Sequence, residues 1–270
     1  MTFDELLRSS DLSRDEAEKI LLHVLSRTSA WLYARGKEAV PESVKTQFSG
    51  LAKDRLAGEP LAYLMGYRDF CDLRLQVDSS VLIPRRETEH LVEWVLELLE
   101  KGAVNLLDLG CGSGAIGLAS KASCPAASVT CTDRSDELLK CAQLNAANLN
   151  LSVNWVVANW FDGLPSEKWD VIASNPPYVA PNDPHLLEGD LPAEPRYALV
   201  GGGCDGLDSL RAIILAAPPF LVSEGWLLLE HGCTQGPEVR RLLRNRGFSS
   251  ITTRRDWSRL ERITGAQWCN

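Results

Sequence analysis

The chain has 270 residues, 45% of them apolar, enough for one large core or two unequal ones without staples. Its formal net charge of −8 argues against a protein that grips phosphate backbones with clustered Lys and Arg, so no stable nucleic-acid partner is expected. The eight cysteines include no C-x-x-C pair and the four histidines no H-x-x-x-H pair, which argues against a metal site and against a disulfide framework.

The first residues, Met1-Thr-Phe-Asp-Glu, are acidic where a signal peptide would be basic. The longest apolar stretch, around Ala212 to Val222, is broken by Pro218-Pro219 and too short to span a bilayer. The expectation is a cytoplasmic, soluble monomer with no membrane contact. Up to Glu59 the pattern is helical: Ser13 and Glu16 have capping-box spacing, and Ala17, Ile20, Leu21, Val24 and Leu25 recur on one face. Residues 1–60 read as a small helical domain for substrate recognition. It holds nine Lys and Arg against ten Asp and Glu, so nearly all the acidic excess lies beyond it. In 61–84, Leu73, Leu75 and Val77 alternate with polar residues and Val81-Leu82-Ile83 follows a polar turn, which predicts a β-hairpin linker. Residues 85–270 form the larger domain, opening with a helix from Glu87 to Lys101 that Gly102 stops.

From Val104 short apolar runs alternate with helical stretches: Val104–Leu109, Ser128–Thr132, Trp155–Val157, Val171–Ser174 and Trp226–Glu230. That rhythm predicts an α/β fold with a largely parallel sheet wrapped by helices. Phe248–Thr253 and Glu261–Trp268 are joined too closely for a crossover helix and should pair antiparallel at one edge.

The first of these strands runs into Asp108-Leu109-Gly110-Cys111-Gly112-Ser113-Gly114, where glycines let the backbone turn sharply and approach a ligand. Such a turn also suits a dinucleotide oxidoreductase. Asp108 tips the balance, because its carboxylate would crowd a pyrophosphate yet can attract the ammonium end of a methionine moiety. That favours S-adenosylmethionine. Asp133 ends the next strand about 20 residues on, where an acid can accept from both ribose hydroxyls. The alternative is an exposed turn residue.

Asn175-Pro176-Pro177-Tyr178 ends the fourth strand, beside the glycine loop at the crevice where such sheets bind ligands. Two prolines stiffen the turn and remove N–H donors, so it presents acceptors to an –NH₂ group. The Asn175 side-chain oxygen and the Pro176 carbonyl can each accept one amine hydrogen, leaving the nitrogen lone pair to face a methyl donor. Tyr178 would pack on a planar target and screen water. Trp160 follows the third strand, where it can flank an adenine or simply close a core edge. Glu87 and Glu89 suit the positive end of their helix, and Glu230-His231 receives no role.

These residues resemble those of the release factor glutamine methyltransferases, the PrmC or HemK family. The match runs in order through Glu59-Pro60-Leu61-Ala62-Tyr63, the run from Val81 to Arg85 with Glu87-Thr88-Glu89, Asp108 to Gly114, Asn175 to Tyr178, Glu194-Pro195, Gly201-Gly202, Asp205-Gly206-Leu207 and Leu228 to Gly232. The resemblance implies a class I S-adenosylmethionine-dependent methyltransferase, Rossmann-like, with a mostly parallel seven-stranded sheet and an antiparallel edge. Its implied cofactor contacts are Gly110, Cys111, Gly112, Ser113, Gly114, Asp133, Trp160 and Asn175. Asn175, Pro176, Pro177 and Tyr178 would hold the substrate, with the catalytic work falling to Asn175, Pro176 and Tyr178. The implied partner is a class I peptide chain release factor, methylated on the glutamine of its Gly-Gly-Gln motif. An adenine or cytosine amino-methyltransferase is the alternative that the Asn-Pro-Pro-Tyr turn also suits, and the acidic charge argues against it. The chain departs from the family pattern at Arg86, where proline is usual, and at Arg259, where glycine is usual.

Overall fold

In the N-terminal part of the computed structural model, which describes residues 1–269, four helices close over one apolar cluster. They are α1 (Phe3–Arg8), α2 (Arg14–Leu25), α3 (Ser29–Arg35) and α4 (Glu42–Leu56), followed by the single turn α5 (Leu61–Met65). Thr2 and Glu5 form a capping box, and the Ser13 hydroxyl accepts from the Glu16 N–H at 3.3 Å, so each of the first two helices starts on a side-chain cap. Phe3, Leu6, Ile20, Leu21 and Phe48 are buried together. Val24 and Leu25, expected on the same face as Ile20, are half-buried. By its contacts this unit comprises Met1–Tyr67 together with Leu187–Ala193. Arg55 ties the late segment in by bonding Glu16 at 2.8 Å and Asp190 at 2.6 Å.

The second unit comprises Arg68–Leu186 and the chain from Glu194 onward. A two-stranded hairpin of β1 (Tyr67–Phe70) and β2 (Leu73–Gln76) begins at the boundary, with all but Tyr67 in this second unit. Cys71 and Asp72 between them have φ of 46° and 61°, the left-handed pair that a two-residue hairpin turn requires. The hairpin therefore lies earlier than expected. Val81-Leu82-Ile83 is not its second arm: the Ile83 N–H donates to the Glu194 side chain at 3.1 Å instead of to a strand.

Helix α6 (Arg86–Glu100) follows, and then β3 (Asn105–Leu109), α7 (Ala115–Ser123), β4 (Ser128–Asp133), α8 (Asp136–Leu149), β5 (Asn154–Val157) and β6 (Trp169–Ser174). After the short α9 (Arg196–Leu199) come α10 (Asp208–Ala216), β7 (Leu221–Glu230), α11 (Gly236–Arg246), β8 (Ser249–Arg255) and β9 (Glu261–Trp268). The seven-stranded sheet has the order β5-β4-β3-β6-β7-β9-β8. Strands β3 to β7 pair parallel, and β9 runs antiparallel to both β7 and β8. The expected antiparallel edge is present. β9 lies between β7 and β8, and the short Asp256–Leu260 connection permits only an antiparallel return from β8.

Period-two alternation divides the sheet residues between two cores. Leu106 and Leu228 face the cluster that holds Leu91 and Val95 of α6 and Leu118 of α7, whereas Leu107, Leu109, Leu227 and Leu229 face Leu210 and Ile213 of α10 and Val239 of α11. By the same alternation Asp108 and Glu230 point to the α6 side, and both are 0% exposed. Strand order reverses at β3, between β4 and β6, so a crevice opens beyond their carboxyl ends. No helix among the described residues is long and apolar enough to cross a membrane.

Candidate functional site

The turn after β3 uses left-handed backbone at Gly110, Gly112 and Gly114 (φ 76°, 55° and 83°), and the N–H groups of Gly110 and Cys111 donate to the Thr132 carbonyl at 3.0 and 2.8 Å. A Cβ on Gly117, one turn into α7, would overlap the Cys131 sulfur. Glycine there lets α7 sit close on β4. The loop is thereby held open toward a cavity of about 340 Å³, within the range of small-molecule sites.

Asp133, at the end of β4, borders this cavity. Its carboxylate accepts from the Gly112 N–H at 3.0 Å and the Arg134 N–H at 2.8 Å, which fixes its plane. Burial pushes its pKa up, and the two backbone donors oppose that. Trp160 also lines the cavity, with φ 51°, in a turn closed by reciprocal bonds between Asn159 and Asp162 at 2.9 and 3.0 Å. A Cβ on Gly110 would lie 3.1 Å from the Trp160 ring, so the missing side chain makes room for that indole.

The other wall is the Asn175–Tyr178 loop. The Ser174 hydroxyl donates to the Leu109 carbonyl at 2.6 Å and locks the end of β6 to the end of β3. Behind the loop, a Cβ on Gly201 would overlap the carbonyls of Pro177 and Gly206, and one on Gly206 would overlap that of Tyr178. These glycines let two backbone segments lie in contact. The Gln235 amide donates to the Tyr178 carbonyl at 2.8 Å, further pinning the loop.

Asn175, Pro177, Gly110, Cys111, Gly112 and Ser113 line the cavity with Asp133 and Trp160; Gly114, Pro176, Tyr178 and Asp108 do not. Asp108 is fully buried: one carboxylate oxygen accepts from the Gly117 N–H at 2.8 Å, and the other has no hydrogen-bond partner. Burial pushes its pKa up to about 7. A direct meeting with a ligand's ammonium group, as expected from sequence, does not follow from that placement. Tyr178 likewise turns inward, its hydroxyl donating to Glu230 at 3.1 Å while its ring packs against the α10–α11 core. It lines a different side of the loop from the one that a planar target would meet.

Two residues that received no chemical role lie behind the loop. The Thr88 hydroxyl donates to Glu230 Oε2 at 2.7 Å and accepts from Asn175 Nδ2 at 3.1 Å. Burial pushes the Glu230 carboxyl up to about 7, against the pull of its two hydroxyl donors and of Arg262. A glutamate closing the apolar run Leu227-Leu228-Leu229, on the buried face of a central strand, was the available signal. His231 donates from Nδ1 to the Gly232 carbonyl at 2.9 Å and meets the Thr264 hydroxyl at 2.8 Å, a structural arrangement, and burial lowers its pKa. A further part of the wall is Val81, Leu82 and Pro84, in a segment tied down by the Arg85–Glu194 ion pair and by the Ile83 N–H.

The fit to S-adenosylmethionine rests on this set: a glycine turn whose backbone borders the cavity without side-chain bulk, a fixed carboxylate at the end of the second parallel strand, and an indole in the same lining. Family models match twice, the PrmC N-terminal domain over residues 3–66 and the Methyltransferase small domain over residues 87–203. The release factor glutamine methyltransferase of Neisseria gonorrhoeae is 45% identical over 98% of this chain and 97% of its own. That of Xylella fastidiosa is 44% identical over 94% and 92%. A methyltransferase structure from Pyrococcus furiosus, only 16% identical, shares the fold over 73% of this chain and 90% of its own, with a TM-score of 0.54. Likeness along nearly the whole length, through both the helical part and the sheet, shows that the chain belongs to the release factor glutamine methyltransferase family.

Proposed function

We propose that this methyltransferase acts on the side-chain amide nitrogen, N5, of the glutamine in the Gly-Gly-Gln motif of class I peptide chain release factors. The observation that carries the reading is the Asn175 amide, whose nitrogen is committed to Thr88. Its oxygen is left as an acceptor in the cavity wall. An amide nitrogen is a poor nucleophile, because the resonance behind its roughly 18–20 kcal/mol rotation barrier also delocalises its lone pair. Holding both N–H bonds on acceptors, Asn175 Oδ1 and the carbonyl of Pro176, which is not itself in the lining but sits between the lining residues Asn175 and Pro177, keeps electron density on nitrogen and aims it, and such alignment can remove about 7–11 kcal/mol of barrier. S-adenosylmethionine, when bound, supplies an electrophilic methyl on its sulfonium. Asp133 would accept from its ribose hydroxyls, Trp160 would flank its adenine, and the glycines of the loop from Gly110 to Ser113 would let the backbone lie close against it. No strong base is required, since an N-methylated amide cation sheds its extra proton to water.

A glutamine between glycines can enter a narrow crevice because nothing beside it has bulk. The helical unit carries no cofactor motif, and we assign it recognition of the protein substrate; a chain beginning at Leu61 should then show a raised KM for the intact release factor. The reaction belongs in the cytoplasm, by a monomer without a stable nucleic-acid partner. To test the assignment, the protein is mixed with methyl-labelled cofactor and a release factor, and again with the release factor's Gly-Gly-Gln glutamine changed to asparagine. Label should enter only the first. Label that persists after the change overturns the assignment, and label entering DNA points to the amino-methyltransferase alternative.

A further inference from the structure

We infer that Thr88 and Glu230 are positioning residues that set which way round the Asn175 amide stands. This deepens the proposed function and rests on it. The argument is one of hydrogen-bond direction. Glu230 is 0% exposed, with Thr88 Oγ1 at 2.7 Å from one carboxylate oxygen and the Tyr178 hydroxyl at 3.1 Å from the other. Above about pH 7, where Glu230 is ionised, its carboxylate only accepts, so the single Thr88 proton goes to it. Thr88 Oγ1 can then only accept from its second neighbour, and Asn175 must present its –NH₂ there, at 3.1 Å. The amide oxygen is turned to the opposite side as a consequence. An asparagine amide is otherwise close to two-fold symmetric in shape, and a half-turn about its last torsion exchanges acceptor for donor at no steric cost. In that flipped state Asn175 would meet a substrate –NH₂ donor to donor.

The chain of three residues spans distant parts of the sequence: Thr88 on the first turn of α6, Glu230 at the end of β7 and Asn175 at the end of β6. Residues on three elements converge on one amide. Its partner across Glu230, Tyr178, belongs to the same loop as Asn175, so the buried carboxylate holds the loop at both ends. Thr88 borders the cavity itself.

The test compares Thr88→Val, which keeps the shape and removes the hydroxyl, with Thr88→Ser, which keeps the hydroxyl. In the labelled-cofactor assay at pH 8, where Glu230 is ionised, Thr88→Val should lower kcat by about 10- to 100-fold, with KM for the release factor and calorimetric Kd for S-adenosylmethionine within about threefold of wild type. Thr88→Ser should recover most of the lost turnover. Equal kcat in Thr88→Val and wild type overturns the inference, as does a Thr88→Ser that is as impaired as Thr88→Val. Should Thr88→Val lose its cooperative thermal transition, Thr88→Ala takes its place with the same expected split. A second arm needs no substrate: the side-chain –NH₂ signals of Asn175, identified by their loss in Asn175→Asp, should exchange slowly with solvent in wild type and rapidly in Thr88→Val. A wild-type protein that labels no release factor removes the proposed function, while this exchange arm still decides the orientation of Asn175.

Discussion

Replacing Asp133 with alanine separates a ligand contact from a structural one. In the structure this carboxylate accepts from two backbone N–H groups, of Gly112 at 3.0 Å and Arg134 at 2.8 Å, and its remaining lone pairs border the cavity. Two charge-assisted bonds to ribose hydroxyls, at about 1.5–3 kcal/mol each, amount to about 3–6 kcal/mol, so Kd for S-adenosylmethionine should rise roughly 10²- to 10⁴-fold. The cost to the fold is smaller. Gly112 loses an acceptor beside open space that water can reach, about 1 kcal/mol, which lowers Tm by about 2–4 °C in a domain of this size. Isothermal titration calorimetry reads the first effect and thermal unfolding the second. Asp133→Asn, which keeps one acceptor but no charge, should fall between. Because burial raises the carboxyl's pKa, wild-type affinity should also weaken on acidification sooner than an ordinary aspartate would allow. An Asp133→Ala protein that binds within threefold of wild type would show that Asp133 merely shapes the glycine loop.

Asn175→Ala should bind cofactor within a modest factor of wild type and lose at least about 10²-fold in turnover; steady-state rates matching wild type would remove the loop from the mechanism. Gly201→Ala forces a methyl against the carbonyls of Pro177 and Gly206, so it should cost about 1–3 kcal/mol by urea unfolding and depress turnover as Pro177 shifts, and a neutral effect on both would contradict the packing described. Arg259, at φ 64° in the β8–β9 turn, occupies a conformation that costs an ordinary residue about 1–2 kcal/mol, so Arg259→Gly should raise stability by up to about 1 kcal/mol, and a lowered Tm would refute the strain. Asp108 and Glu230 keep their protons to about pH 7 in the folded protein, whereas in the unfolded chain they lose them near 4. Between these limits the native state holds more protons, so their contribution lowers stability as pH rises, by up to about 1.4 kcal/mol per pH unit for each group, and levels off above 7. His231 opposes this below about pH 6.5, since burial keeps it neutral when folded. Asp108→Asn should flatten the decline between pH 5 and 8 in denaturant titrations, and an unchanged slope would show that Asp108 is ionised throughout.

Much of the fold was legible because it is written in local covalent geometry and in short-range periodicity. The strand–helix rhythm from Val104 implied a parallel sheet, and the brief link before Glu261 implied an antiparallel return, because a crossover needs a dozen residues or more. The glycines from Gly110 to Gly114 and the prolines of the Asn175–Tyr178 loop declare a backbone shape by themselves, since they restrict or free φ wherever they stand. Their placement at the ends of β3 and β6 then followed from strand order.

Tertiary structure alone decided what lies behind those loops. Thr88 and Glu230 are 142 positions apart, and Thr88 and Asn175 are 87 apart. Nothing in their neighbours announces that they meet. Glu87, Thr88 and Glu89 read as an ordinary helix start, yet the turn of α6 sends Thr88 inward to a buried carboxylate. Val81-Leu82-Ile83 has the composition of a strand but becomes cavity wall, because a distant Glu194 takes the Ile83 N–H that a strand partner would have used. Asp108 and Tyr178 carry chemistry suited to a ligand, and burial turned both toward the protein instead. Periodicity and propensity act over a few residues, whereas the direction of a buried polar group depends on which partners packing brings within hydrogen-bonding reach.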